Sequence, residues 1–335
     1  ESGQDAGCGN LLGVQPWMVA ADYASQSSLR DKLASYLEIA SGHGWLGPRT
    51  IVVWPEYIGT WLAVTETAAA AIRARTLSGA MRSVAIRYFP GLLRAFLVTP
   101  EQDRLAGAIF RTRAQAMAHH YQAVFSGLAR EYAVTMVAGS TVLPSPEVVD
   151  GGVTAGDGPL YGTTAVFGPD GRAYPDLVRK AFPIGSELSF MTPGSVEDLP
   201  AFETPAGRLG VLICADSWYP ASYRRLEALG VALVAVPSYI ATAGAWDRPW
   251  RGYDGAPAPN DVDPADVGRL TEAQAWKKYA LAGRMAGSGA RAATNVFLSG
   301  ALWDLGAEGG SLMVTADGTA VQAESGGPAL INLGL

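Results

Sequence analysis

Short runs of β-branched and other apolar residues, bounded by Gly and Pro, recur along the chain at 11–14, 51–54, 134–138, 165–167, 209–213, 231–236, 296–298 and 312–314. Between several of them, at 27–39, 104–129, 221–228 and 272–286, apolar positions fall at helical spacing instead. The first pattern predicts short buried strands and the second amphipathic helices. Their alternation predicts an α/β chain built in layers. Residues 247–270 are rich in Asp, Pro and Gly and predict a long loop, which in a compact protein is uncommon unless it is functional or mobile. Residues 229–246 carry no charge and match a bilayer span by count alone. Pro237, Ser238 and Thr242 break that stretch and its first half reads as a buried strand, so a segment of a soluble core is expected.

The stretch 67–100 has a different pattern. Arg73, Arg75, Arg82, Arg87 and Arg94 alternate with Ile72, Leu77, Met81, Val84, Ile86, Phe89, Leu92, Leu93, Phe96 and Leu97, and no acidic residue falls among them. A basic amphipathic segment of this kind lies on a membrane surface or lines an acyl-chain groove. The alternative is that its apolar face packs on the domain or on a second subunit while the arginines stay solvated.

Apolar residues make up 49% of the 335 and charged residues 17%, the balance of a globular chain with a large core. The formal net charge of −6 argues against a nucleic-acid partner. No Ser/Pro-rich or charged linker divides the sequence, and it reads as a single domain over 1–335. The two cysteines, Cys8 and Cys214, allow at most one disulfide and leave the compartment open. A disulfide would consume the thiol of Cys214, so Cys8 is expected to be free, or labile if paired. Ala6-Gly7-Cys8 ends like a lipoprotein box, but no apolar run precedes it and lipidation is not expected. The chain begins at Glu1, which reads as a trimmed leader or tag, and nothing after it resembles a signal peptide.

The chemistry concentrates at Cys214. There the apolar run Gly210-Val211-Leu212-Ile213 breaks into Ala215-Asp216-Ser217-Trp218-Tyr219-Pro220. A thiol at the end of a strand buried on both faces is aimed with little freedom to wander. A free thiol, with a pKa of about 8.5, also needs a base or a cation beside it. His43, His119 and His120 are the histidines available. A papain-type dyad with one of them is a poor fit, because His43 lies in a Gly-rich stretch and the other two diverge by about 100° on a helix. Better placed are Glu56, which ends the apolar run Ile51-Val52-Val53-Trp54-Pro55, and Lys180, in Val178-Arg179-Lys180-Ala181-Phe182-Pro183.

Taken together, Trp-Pro-Glu, Arg-Lys-x-Phe-Pro and Gly-Val-Leu-Ile-Cys-x-Asp-x-x-x-Pro resemble, in this order, the Glu, Lys and Cys motifs of the nitrilase or carbon-nitrogen hydrolase superfamily. The likeness runs from about Leu11 to about Gly318 and includes Leu160-Tyr161-Gly162-Thr163-Thr164 and Gly310-Ser311-Leu312-Met313. Two features depart from the family pattern. Arg284-Met285-Ala286-Gly287-Ser288 stands where relatives carry Arg-Ala-x-Glu-Asn, and the segments 57–120 and 240–275 are longer than the family minimum. Both long segments follow a catalytic strand and are expected to shape the pocket.

The resemblance implies a four-layer α-β-β-α sandwich of two mixed sheets, and a thiol hydrolase that cleaves a non-peptide amide bond. In that reading Cys214 is the nucleophile, Glu56 the general base and acid, and Lys180 the oxyanion stabiliser. The backbone N–H of Ala215 assists, and Glu187 supports the lysine or the incoming water. Tyr57, Trp218, Ser238 and Tyr239 are expected to border the substrate. The reading calls for no cofactor and no metal. It implies a small-molecule or lipid-like amide as partner, and a homo-oligomer. Because Cys-x-Asp-x-x-Tyr-Pro is closer to amidase-like branches than to nitrilases, whose nucleophile is followed by Trp-Glu, amidase chemistry leads. An N-acyltransferase, a nitrilase and an inactive binding scaffold are the alternatives.

Overall fold

The computed structural model describes residues 9–318 and 320–335; Cys8 lies outside them. Two sheets carry the fold. The first has five strands in the order Ala329–Gly334, Asn10–Gln15, Thr50–Val53, Thr135–Val137 and Val166–Phe167. Its three central strands are parallel and both edges antiparallel. The second has six, in the order Ala201–Thr204, Gly207–Val211, Leu233–Ser238, Ala292–Phe297, Leu312–Thr315 and Ala320–Gln322. Here too three adjacent strands, the second to fourth in this order, are parallel and antiparallel strands flank them.

Strand alternation explains the layers. In the first sheet Leu12, Val14, Val52 and Met136 point to one face and share a core with the helices Gln26–Gly42 and Arg104–Glu131. Leu11, Ile51, Val53 and Val137 point to the other face and join the second sheet, as a period of two requires. Gly13 lies at this sheet-to-sheet contact, where a Cβ would meet Val296 and Thr294 at 3.0 and 3.1 Å. The second sheet turns its far face to the helices Pro220–Ala228 and Glu272–Tyr279; a Cβ at Gly210 would press on Leu226. The result is the expected α-β-β-α sandwich.

All eight predicted strand runs lie on strands, with ends shifted by a few residues. The predicted helix 272–286 does not hold. It stops at Tyr279, because Ala280 takes an extended backbone (φ −106°, ψ −150°), and continues as a short turn, Leu281–Arg284, and a 3-10 turn, Met285–Ser288. Gly283 permits the fold-back, since a Cβ there would overlap the carbonyl of Lys278. Residues 67–100 form three helices, Ala69–Ile72, Leu77–Arg87 and Phe89–Val98. No helix among the described residues is long and apolar enough to cross a membrane.

Candidate active site

Each of the three sequence-predicted groups sits where a strand ends. The strand Thr50–Val53 runs through Trp54, whose N–H donates to the carbonyl of Val137, into Pro55 and Glu56. The next loop holds this turn from behind. Tyr57 N–H donates to Ser140 Oγ at 2.9 Å and Gly59 N–H to the Ser140 carbonyl at 2.9 Å. Gly139 (φ +61°) is needed there, because a Cβ would overlap the carbonyl of Pro55. Lys180 follows the two-residue strand Val178–Arg179, with its N–H on the Gly162 carbonyl at 2.9 Å. Cys214 opens the 3-10 turn Cys214–Trp218 with φ +50°, in the left-handed region. A side chain there is strained, and such residues cluster at active sites. Ser217 Oγ donates to the Cys214 carbonyl at 2.7 Å and helps hold the turn.

These turns converge. Lys180 Nζ, 2% exposed, donates to Glu56 Oε1 at 2.7 Å and to both carboxylate oxygens of Glu187, at 2.8 and 2.6 Å. Tyr57 OH donates to Glu187 Oε1 at 2.7 Å, and Ile184 N–H donates to Glu187 Oε2 at 2.9 Å. The Glu56 carboxyl is also close enough to the Cys214 thiol for each to act on the other's charge. The thiol lies 3.7 Å from the Tyr239 carbonyl.

Burial sets the titration of this cluster. Desolvation is the main cause that pushes Glu56 up to about 7, aided by the charge of Glu187 and opposed by Lys180. Burial on its own would lower Lys180. The carboxylates of Glu187 and Glu56 more than offset it and hold the ammonium well above its ordinary value. Cys214 is raised well above the usual thiol range, by burial first and then by Glu56, while Lys180 pulls the other way. At neutral pH the thiol therefore rests protonated beside a carboxyl group poised near its midpoint.

Asp216 links two of the turns. Fully buried, it accepts from the backbone N–H groups of Ala181 (2.9 Å) and Phe182 (2.8 Å) through Oδ1, and from Ile213 (3.1 Å) through Oδ2. One carboxyl group thus fastens the segment after Lys180 to the strand end before Cys214. Burial pushes it up to about 7, against the pull of these N–H donors and of Lys180. No short motif records this role, because the backbone it ties is 35 positions upstream.

A cavity of about 350 Å³ opens on Cys214. Ala215, Trp218, Tyr219 and Tyr239 line it, together with Ile184, Ser186, Ile240 and Ala241. The rest of its wall, Trp250, Gly252, Tyr253, Asp254, Glu272 and Trp276, comes from the predicted long loop and the helix after it. Trp250 is anchored by backbone bonds to Leu270 and Gly268, both at 2.8 Å, and Tyr253 OH donates to the Trp218 carbonyl at 3.0 Å. All but Trp276 fall in the segment 240–275 that the sequence expects to shape the pocket, although nothing in the sequence singles out the individual residues.

Two expected pocket residues sit elsewhere. Ser238 is fully buried and does not line the cavity; its hydroxyl is taken up by Asn295 Oδ1 on the neighbouring strand, to which it donates at 2.6 Å. Tyr57 (φ +64°) faces Tyr239 at a ring separation of 5.3 Å, but lines a neighbouring apolar cavity of about 510 Å³. That cavity lies between Leu77–Arg87 and Arg104–Glu131, with Trp61, Met81, Ile109 and Phe110 in its wall. None of the histidines lines the Cys214 cavity; His120 Nδ1 pairs with Gln26 Oε1 at 2.9 Å and His43 stacks on Trp45. Among the described residues no group of His, Cys, Asp and Glu is arranged to hold a metal ion.

The carbon-nitrogen hydrolase family matches residues 18–253, and the chain belongs to that family. The fold and the family together define an enzyme of the carbon-nitrogen hydrolase type. Among solved structures the chain is similar to an amidase from Nesterenkonia sp., at 16% identity and a TM-score of 0.59, covering all of this chain and 94% of that one. A glutamate-to-glutamine mutant of that amidase, carrying the product of Michael addition of acrylamide at its active-site cysteine, is similar at 15% identity and a TM-score of 0.56, over 98% and 93% of the two chains. At these identities the likeness is one of fold. The bifunctional nitrilase/nitrile hydratase NIT4A of Lupinus angustifolius is 35% identical over 88 residues, a match that spans 26% of this chain and only a quarter of that protein's length.

Proposed function

We propose that the protein hydrolyses a non-peptide amide through a thioester on Cys214. Glu56 takes the thiol proton as sulfur attacks the carbonyl carbon, then delivers it to the departing amine as the C–N bond breaks. Water, deprotonated by the same carboxylate, adds to the thioester carbonyl and releases the acid and the thiol. Lys180 offsets the charge that develops on the carbonyl oxygen, with the N–H of Ala215 beside it. Glu187 and Tyr57 keep the ammonium in position. The observation that carries this reading is the buried pair of Glu56 and Lys180, 2.7 Å apart, behind a cysteine that itself lines the cavity. A carboxyl group raised to about 7 is matched to shuttling a proton near neutral pH.

A second reading, transfer of the acyl group to an amine, is favoured by one observation. The apolar cavity of about 510 Å³ shares Tyr57 with the cluster and offers room for an acyl chain.

Ammonia release from butyramide and from butyronitrile, with intact-mass spectrometry of the protein, tests the proposal. Wild type should release ammonia from the amide. Glu56→Gln should lower that rate by about two to four orders of magnitude and accumulate an acyl adduct on Cys214. Cys214→Ala should abolish both. Preference for the nitrile would make the enzyme a nitrilase, and acylation of an added amine would make it a transferase. No ammonia, no adduct and no alkylation of Cys214 by iodoacetamide would leave a scaffold.

A further inference from the structure

We infer that the Cys214 cavity selects substrates bearing a positively charged nitrogen a few bonds from the scissile group. This rests on Cys214 being the nucleophile. Three indoles form a corner: Trp218 stacks on Trp250 at 5.7 Å and meets Trp276 edge to face at 4.9 Å. Tyr253 stands against Trp218 at 5.5 Å and 86°. Ring faces attract ammonium and guanidinium groups, indole most strongly.

The charges of the wall have one sign. Glu272 and Asp254 line the cavity, and no Lys, Arg or His does. Neither carboxylate takes part in an ion pair among the described residues. Asp254 is exposed, but a carboxylate withdrawn from water, as Glu272 partly is, is ordinarily paired. Glu272 is half-buried beside Trp276, itself 4% exposed, whose indole N–H has no hydrogen-bond partner among the described residues. Burial raises the Glu272 carboxyl, with that indole pulling the other way; a bound cation would reverse the shift. Glu272 also occupies the first turn of Glu272–Tyr279, where an acid suits the helix N-terminus. That accounts for an acid at this position but not for its place in the wall of the cavity that Cys214 lines. The ammonium of Lys180 adds no countercharge, because two carboxylates already hold it.

Charged thiosulfonates test the charge preference without any need for turnover. In a Cys8→Ser chain the Cys214 thiolate displaces methanesulfinate from 2-(trimethylammonium)ethyl or 2-sulfonatoethyl methanethiosulfonate. The mixed disulfide that forms leaves a cationic or anionic arm in the cavity. Rates are followed by intact mass and normalised to those of free cysteine. The cationic reagent should be favoured by about tenfold or more, and Glu272→Gln should cut that ratio severalfold. A ratio at or below one in the unsubstituted cavity overturns the inference, as does a ratio that Glu272→Gln leaves unchanged. With amides, KM for 4-aminobutanamide should lie about tenfold below that for pentanamide, and Glu272→Gln should raise only the former. Equal KM values overturn the inference while leaving the hydrolase reading intact. No modification of Cys214 by either reagent would remove the nucleophile, and both readings with it.

Discussion

Replacing Glu187 by Gln tests whether the arrangement around Lys180 sets the pH at which the site works. The carboxylate oxygens of Glu56 and Glu187 lie 2.7 and 2.6 Å from the same nitrogen. They are therefore at most about 5.3 Å apart, and at an effective dielectric of about 20 two unit charges at that distance repel by about 3 kcal/mol. At about 1.4 kcal/mol per pKa unit this corresponds to about two units at full ionisation. Gln removes the charge but keeps an oxygen for the ammonium, and Lys180 then leans more fully on Glu56. Both changes favour the carboxylate form of Glu56, which burial and Glu187 together push up to about 7. Proton abstraction needs that form, so activity rises with pH through its pKa. The acid limb of kcat/KM for butyramide, recorded from about pH 4.5 to 9, should move down by about one to two units, with a lower plateau because Lys180 is less firmly held. An acid limb that stays in place or moves up, in a variant whose thermal unfolding is unchanged, would refute this account.

Two further outcomes are expected. Asp216→Ala strands the N–H groups of Ala181, Phe182 and Ile213; at about 1–3 kcal/mol per buried donor, less the relief of removing a buried carboxyl group, the urea midpoint should fall by the equivalent of about 2–4 kcal/mol, and an unchanged midpoint would contradict the linking role. We also propose that the exposed face of Ile86, Phe89, Leu93 and Leu97, set among exposed Arg82, Arg87 and Arg94, meets anionic lipid. Wild type should then float with phosphatidylserine vesicles, and Phe89→Asp with Leu93→Asp should not, while butyramide turnover stays the same. A mass of two chains that falls to one in that variant would assign the face to a second copy instead.

The layers and the cluster were legible because they are local. Each strand run is a few residues long, and each group of the cluster sits at the end of one, so Glu56, Lys180 and Cys214 carry their own context. The parts that escaped depend on distance or packing. Asp216 acts on backbone 35 residues away, which no short motif records. Ser238 was misplaced because its nearness to the nucleophile strand did not reveal that Asn295 takes up its hydroxyl. Glu272, Trp250 and Trp276 come from a stretch that reads as loop and helix start, and only packing shows that they line the same cavity as Cys214. The helix predicted over 272–286 failed at Ala280, where apolar spacing continues but the chain folds back through Gly283.

The segment between Trp250 and Leu270 is closed at its base. Pro249 bridges Thr271, Trp250 bonds Leu270, and Gly268 returns a bond to Trp250. The excursion is also tied at its middle: Tyr253 OH donates to the Trp218 carbonyl and Tyr219 OH to the Ala256 carbonyl, both at 3.0 Å. A change of length or lettering near these two points would therefore be felt by the turn that opens with Cys214. Only the stretch beyond them, on the outer side of the excursion, is left to vary without moving that turn.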